Sequence, residues 1–475
     1  MPSRNRLSLL ALLPAAVLAA YLAVAPAGNL LPVSRSQASG PNGQPDAVPG
    51  ELIVKYRQPM AAAAERIVNS AVGSKQVARA NDLGVSLVTV TAGASADVAA
   101  QRYRSLPQVE YAEPNVIVQA DMTPNDPLYS RQQWYYDEIG APKAWDVETG
   151  KPYVIVAVLD TGVDITHPDL QGAIWTNRGE VADNGVDDDS NGCIDDVHGC
   201  NFLRASTPPA TASCAMVSEP DGTIDDDDGH GTFVAGIIAA RGNNRIGVIG
   251  MAPDVTIMPV KVLDCQGTGT ALAAAEGVVY AAKEGASVIN ISFGAKPDSP
   301  DSATLQQAVN QAHDVYGVTI VAAAGNTALS GDSAVTAPAN YPNVIAVSAS
   351  DHSASGGKAL FSNWGPEIDL TAPGVDIVST VPAKFCAHMG CFGSEPYASS
   401  DGTSLSTPLV SGAAALLLSS GRVSTPDQVK ALLEDTASRL PDASYPNWDG
   451  SGMIQIDKAL AGKSYQLGLT ALTKN

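Results

Sequence analysis

The sequence predicts an α/β fold: a mostly parallel central sheet with helices on both faces, preceded by a small α+β module. Three observations carry this. Five almost unbroken apolar runs follow residue 150: "YVIVAVLD", "VTIMPVKVL", "SVINISF", "VTIVAAA" and "NVIAVSA". A strand that is apolar at every position is covered on both faces, as in a parallel sheet. Helical runs alternate with these strands: "HGTFVAGIIAA", "TALAAAEGVVYAAKEG", "SATLQQAVNQAHDVYG" and "LSTPLVSGAAALLLSS". Before residue 121 the strands are short and alternate apolar with polar residues, so they have one wet face.

In chain order, Arg4 and Arg6 precede an apolar run from Leu7 to about Val24, closed by the small residues Ala23, Ala25 and Ala27. This is the pattern of a secretory signal peptide over 1–27. An uncleaved anchor is the other reading, but the run is short for a span and contains Pro14. Residues 28–48 are polar and rich in Gly, Pro and Ser, and read as a linker. Residues 49–120 form the small module. A strand at Gly50–Tyr56 is followed by helix "AAAAERIVNSAV", strand "VSLVTVTA", helix "ADVAAQRYRSLPQ" and strand "VEYAEPNVIVQA", a β-α-β-α-β order. Residues 121–131 are rich in turn formers and read as an exposed junction. The α/β domain runs over 132–463, and 464–475 is a tail.

The chain carries 28 Lys+Arg and 49 Asp+Glu, a net charge of −21. Residues 1–124 hold 10 and 8 of these, a balance of +2, which leaves 18 − 41 = −23 on the remainder. An acidic body excludes a nucleic-acid footprint and suits calcium. No segment after the N-terminal run is long and apolar enough to cross a membrane, so membrane contact is expected only through the signal peptide. The cysteines are Cys193, Cys200, Cys214, Cys265, Cys386 and Cys391. An even count in an exported chain reads as disulfides. Cys386–Cys391 is the favoured short loop and Cys193–Cys200 the next candidate.

The chemistry sits at element ends, where parallel sheets build their sites. Asp160 closes a strand in "VAVLDTGVD". His230 stands between two glycines at the start of a helix in "DDDGHGTFVAG". Ser404 lies at the mouth of the apolar helix in "SSDGTSLSTPLVSG", where the helix N-terminus favours developing negative charge. A carboxylate, an imidazole and a hydroxyl are the set that acyl transfer needs: His takes the Ser proton, and Asp orients and stabilises the imidazolium. An oxyanion donor is also needed. Asn326, after Gly325 at the end of "VTIVAAAGNT", supplies a side-chain amide.

The order Asp160, His230, Asn326, Ser404, within "VLDTGVD", "HGTFVAG", "AAGN" and "GTSLSTPLVSG", resembles the subtilisin-like serine proteases over about Gln132 to Ala461. One departure is Leu405 and Ser406, where the family usually has Met and Ala after the serine. The resemblance implies a secreted serine endopeptidase acting as a monomer on protein or peptide substrates. It also identifies 49–120 as similar to the family's inhibitor-type propeptide. That segment would be a chaperone and intramolecular inhibitor, cut near Ala120–Asn125.

By the same resemblance Ser292, Phe293 and Gly294 form one backbone edge for an extended substrate, and Gly267, Thr268 and Gly269 the other. Ala323, Ala324 and Gly325 wall the S1 pocket, with Thr336 near its floor. Small walls imply apolar or aromatic P1 residues. No acid stands at these positions to demand Arg or Lys, although acids from nearby loops could reach in.

The stretch "DNGVDDDSNGCIDDVHG" holds Asp187, Asp189, Asn191, Gly192 and Asp195 at EF-hand positions 1, 3, 5, 6 and 9. Cys193, at position 7, counts with them as a main-chain ligand. Position 12 is His198 rather than Glu, so Asp196 or another carboxylate would complete the shell. A second calcium site is implied by the resemblance, from Asp169, Asn244 and the carbonyls of Ile246 and Val248, with Gln132 or Gln133 adding a ligand. A third acidic run, "DGTIDDDDG" before His230, reads as solvated or loosely metal-binding.

Two other classes compete. A non-catalytic calcium-binding scaffold has no need of all four polar residues. An esterase or lipase would carry its serine in G-x-S-x-G, in the order Ser, Asp, His.

Overall fold

The structure is a computed structural model that describes residues 47–91, 95–116, 123–204, 214, 217–295, 301–352, 357–393, 395–440 and 444–461. The signal peptide, nearly all of the linker, part of the proposed cut region and the tail lie outside the described residues.

The small module contains β1 (Ala47–Tyr56), α1 (Ala62–Val72), β2 (Ser74–Ala80), β3 (Val85–Val90), α2 (Ala96–Arg104) and β4 (Val109–Val116). Its sheet has the order β2-β3-β1-β4, with antiparallel neighbours. The period-two pattern places Leu52, Val54 and Tyr56 of β1 in one core with Val88, Val90, Ala99 and Tyr103. The extra strand, β2 "SKQVARA", is absent from the sequence reading. It buries only Ser74 and carries Lys75 and Arg79 along a sheet edge, so it has no apolar face to announce it.

The larger domain follows with α3 (Tyr129–Glu138), α4 (Ala141–Trp145), β5 (Ile155–Asp160), β6 (Cys200–Asn201), α5 (His230–Ala239), β7 (Thr256–Lys261), α6 (Ala271–Lys283), β8 (Val288–Ile291), α7 (Ala303–Asp314), β9 (Thr319–Ala323), β10 (Ile345–Ser350) and β11 (Leu370–Pro373). Then come β12 (Ile377–Thr380), α8 (Cys386–Met389), β13 (Tyr397–Ser400), α9 (Thr403–Ser419), α10 (Pro426–Thr436) and α11 (Ile456–Ala461). Seven strands pair in parallel in the order β11-β10-β9-β8-β5-β7-β6.

The apolar runs are unalternated because each face has its own core. Val156 and Val158 of β5, Val288 of β8 and Val321 of β9 meet α5 and α9 on one side. Ala157, Leu159, Ile289, Ile291, Ile320 and Ala322 meet α6 and α7 on the other. The short strands β6 and β11 and the antiparallel pair β12–β13 escaped the sequence reading, since two to four residues show no period. Three disulfides close: Cys193–Cys200, Cys386–Cys391 and Cys214–Cys265, the last left unassigned by spacing alone.

Candidate active site

Asp160 ends β5 fully buried, and its Oδ1 accepts both Thr161 N–H and His230 Nδ1–H at 2.8 Å. His230 opens α5 directly after β5 in space. Gly231 makes that approach possible, because a Cβ there would lie 2.0 Å from the Gly162 carbonyl and 3.1 Å from Asp160 Cβ. With Nδ1 committed to Asp160, Nε2 is the nitrogen left for the cleft. Burial pushes the imidazole down. The Asp160 charge and hydrogen bond, helped by Asp228 and Asp226, outweigh that and raise it from 6.5 to about 9.

The run before His230 is not a solvated tail. Asp226, 1% exposed, caps α5 by accepting from Gly229 N–H at 2.7 Å and from the Thr232 N–H and hydroxyl at 2.9 and 2.6 Å. Asp227 pairs at 2.6 Å with Lys261, a fully buried lysine that also donates to the Thr161 carbonyl. Asp228 accepts from His230 N–H and faces the cleft. The sequence did not separate these three roles, because a row of four aspartates looks alike before each finds its partner.

Ser404 sits in the first turn of α9, a helix buried almost throughout. Gly402 leaves the serine room, since a Cβ there would lie 2.8 Å from Ser404 Oγ and 3.6 Å from Asn326 Nδ2. Pro408 has no N–H to give the Ser404 carbonyl four residues back. Ser292 Oγ donates to that carbonyl instead, at 2.8 Å. Asn290 Nδ2 donates to Ser292 Oγ at 2.9 Å, and Ser411 Oγ donates to Asn290 Oδ1 at 2.8 Å. This chain bolts the serine turn to β8. Asn326 Oδ1 accepts from the Thr403 N–H and hydroxyl at 3.0 and 2.9 Å, which turns its NH2 away from Thr403. Thr403, a residue the motif reading passed over, thus orients Asn326.

One cleft of about 570 Å3 gathers His230, Ser404, Asn326, Ser292, Phe293, Gly294, Gly267, Ala323, Gly325 and Thr336. Thr336 Oγ1 lies against Gly294 and Gly325, where a Cβ would come within 2.2 and 3.2 Å of it. Thr268 and Gly269 line an adjoining hollow of about 410 Å3 that shares Gly267, Phe293 and Gly294. Ala324 does not line the cleft; its side chain is buried in the α6–α7 core.

Of the acidic-loop residues, Asp187 and Asp189 come together with Glu180, their carboxylate oxygens within 4.8 Å of one another. Glu180 Oε2 is buried without a hydrogen-bond partner. The EF-hand count missed Glu180, which comes from outside the loop. Asp195 turns away and accepts from Asn184 and Gly185 N–H, while Asn191 Nδ2 donates to Asp196 and its Oδ1 accepts from Cys193 N–H.

At the second locus Asn244 Nδ2 donates to Asp169 Oδ1 at 2.7 Å, and Val248 N–H to Asp169 Oδ2 at 2.9 Å. Ile246 N–H donates to Asn244 Oδ1. Gln132 is spent on the Ile249 main chain and the Val378 carbonyl. The acid that joins this locus is Asp126, whose charge helps push Asp169 up. Asp126 and Asp169 are 4% and 0% exposed, and no lysine or arginine among the described residues pairs with either.

A parallel sheet whose strand and helix ends bring a carboxylate, an imidazole and a helix-start serine to one cleft is the arrangement expected of a serine hydrolase. Residues 151–452 match the subtilase family and residues 34–115 the fervidolysin N-terminal prodomain. The thermophilic serine proteinase of Bacillus sp. strain AK1 is 36% identical over 393 residues, covering 83% of each chain. Thermitase of Thermoactinomyces vulgaris is 38% identical over 67% of this chain and 92% of its own. A solved protease from Pseudoalteromonas arctica superposes with a TM-score of 0.57 at 29% identity, over 72% of this chain and 99% of that one. The chain belongs to the subtilase family, as a serine protease preceded by its prodomain.

Proposed function

We propose that this is an exported pre-pro-endopeptidase that cleaves peptide bonds with Ser404 as nucleophile, His230 as general base and acid, Asp160 as the group that orients and stabilises the imidazolium, and Asn326 as oxyanion donor. The observation that carries the reading is the 2.8 Å His230–Asp160 pair opening on the same cleft as Ser404 and Asn326. His230 Nε2 accepts the Ser404 proton as Oγ attacks the scissile carbonyl. The oxyanion is met by Asn326 NH2 and the Ser404 N–H. His230 returns the proton to the leaving amine, and water then releases the acyl group by the same steps. Substrate lies extended between the Gly267 and Ser292–Gly294 edges, with P1 in the small-walled end near Gly325 and Thr336, which suits apolar or aromatic side chains.

The prodomain occupies and inhibits the cleft until it is cut near residues 120–125, and the signal peptide directs export. Fluorophosphonate labelling of Ser404 together with casein turnover tests the reading. Labelling without proteolysis would favour an esterase, and neither would favour a binding scaffold.

Calcium fits both acidic loci: Asp126 and Asp169 are buried without a cationic partner, which is costly, and Glu180, Asp187 and Asp189 crowd like charges together at a half-exposed loop. Asp126, Asp169 and Asn244 would hold one ion and Glu180, Asp187 and Asp189 another. The bound ion supplies positive charge that lets these loops pack with their carboxylates ionised.

Two expected results follow from the site. Asn326→Ala lowers kcat by about 10²–10³ and leaves KM nearly unchanged, because the amide acts on charge that exists only in the transition state; an equal rise in KM would make it a ground-state contact instead. The acid limb of kcat/KM lies above 6.5, toward about 9, since the reacting enzyme needs neutral His230 and Asp160 favours the charged form. The stability from the protonated His230 pair is full below about 6.5 and is lost as pH rises toward 9. A limb at or below 6.5 would contradict this electrostatic reading.

A further inference from the structure

The disulfide-closed loop between β12 and β13 touches the residue that precedes His230. Gly229 has a φ of +111°, a conformation that suits glycine. A Cβ built on it would lie 2.5 Å from Met389 Sδ and 3.5 Å from both Met389 Cε and Phe385 Cδ2. The thioether of Met389 fills the space that a side chain at 229 would take. Gly229 is not a free hinge. Its N–H donates to Asp226 at 2.7 Å, and its carbonyl accepts from Phe233 N–H at 3.1 Å in the first turn of α5. A push on Gly229 is passed to His230, whose Nδ1 lies 2.8 Å from Asp160.

Met389 is held at this spot. Cys386 and Cys391, three residues before it and two after it, are bonded to each other. Both pack beside Met389 on the core that contains Phe233 of α5. Met389 is nevertheless half-buried, so a small solute can reach it. The other described methionines of the larger domain are closed off: Met251, Met258 and Met453 are 0%, 0% and 1% exposed. Met216 lies outside the described residues.

A partly exposed thioether is open to hydrogen peroxide. The sulfur attacks one peroxide oxygen, the O–O bond breaks and an S–O bond forms. Sulfur gives up two electrons, and the other oxygen leaves as water with both protons. The sulfoxide is polar and bulkier than the thioether, and it would stand where an apolar sulfur now meets Gly229 and the Phe385 ring. The Cys386–Cys391 bond limits how far the loop can draw back.

We propose that Met389 is an oxidation site through which peroxide lowers the activity of the enzyme, the sulfoxide displacing Gly229 and His230 with it. This rests on the protease reading given above. A catalytic group misplaced by about 1 Å costs about 10²-fold in rate. A partial displacement is expected to lower kcat about tenfold and to change KM little, because the edges that hold substrate are not touched. Methionine sulfoxide reductases, which return the thioether, restore the rate.

The experiment treats the processed enzyme with hydrogen peroxide, removes the excess with catalase and reads kcat and KM on a peptide substrate. Peptide mass mapping of the same samples reads the added oxygen at each methionine, Met216 included. The expected result is a loss of kcat that tracks the sulfoxide fraction at Met389 and is reversed by the reductases. Met389→Leu, which keeps the apolar bulk without the sulfur, holds its rate through the same treatment. Full oxidation of Met389 with kcat unchanged, loss of kcat while Met389 stays unoxidised, or equal loss in Met389→Leu overturns the proposal. The first two are read on the wild type, so a variant that fails to mature does not protect it. No cleavage by the untreated enzyme would overturn the protease reading itself, a different result from activity that peroxide does not alter.

Discussion

Ser404→Ala leaves the chain at full length when refolded in calcium, while the wild type sheds its N-terminal segment up to about residues 120–125. Intact mass followed over time reads both outcomes at once. Once the N-terminal segment of the variant is removed by an added protease, its turnover is expected to be roughly 10⁶-fold below that of the processed wild type, a scale set by subtilisin, itself a member of this family. The effect is this large because every other part serves the serine. On the proposed mechanism, His230 takes its proton from Ser404. The Ser411–Asn290–Ser292 chain exists to hold the Ser404 carbonyl that Pro408 leaves without an N–H. If both proteins stay full length although folded, autoprocessing is wrong and a binding scaffold becomes the better reading.

On the proposed calcium reading, a chelator is expected to lower the melting temperature of the wild type, and Asp126→Asn with Asp169→Asn to remove the share of that shift owed to this locus, leaving the share of the Glu180, Asp187 and Asp189 locus. Two carboxylates at 4% and 0% exposure have only neutral donors around them. Leaving buried charge uncompensated costs about 3 kcal/mol or more. The pH dependence has a definite sign. Burial raises Asp169 from 3.8 to about 6, so without the ion the folded state holds its proton longer than the unfolded chain does. Stability of the calcium-free protein therefore falls as pH rises from about 4 through about 6, and the stabilisation by calcium grows over the same window. A melting temperature indifferent to chelator at neutral pH would remove the cation from this locus.

Much of the larger domain was legible because both faces of its sheet are dry. Five apolar runs and four helices could be read from hydrophobic pattern alone, since burial on two sides leaves no polar residue to blur the period. The elements that were not legible are those that bury little or are very short. β2 is a polar edge with one buried residue, and β6 has two residues. The four polar residues of the site stood out because each sits in a glycine-rich element end whose local chemistry is unusual: "LDTG", "GHG", "AGN" and "GTS".

Asp126 and Gln132, missed and misread, have partners far away in the chain. Asp126 joins Asp169 and Asn244 across more than 40 and 110 positions, and no spacing rule spans that gap. Glu180 reaches Asp187 and Asp189 from outside the EF-hand count. Gln132 looked like a ligand and is consumed by Ile249 and Val378.

By itself the sequence determined the α/β architecture and the acidic composition, and it singled out Asp160, His230, Asn326 and Ser404 as the candidate set, because hydrophobic period and glycine placement are local properties. Only the tertiary structure decided which aspartate does what. Asp226, Asp227 and Asp228 are consecutive and chemically identical, yet one caps α5, one neutralises buried Lys261 and one faces the cleft. Their roles differ because the direction of each side chain is set by the packing of α5 against β5 and β7. Charge is a property of the residue, but its use depends on which buried donor or open cleft the fold brings to it.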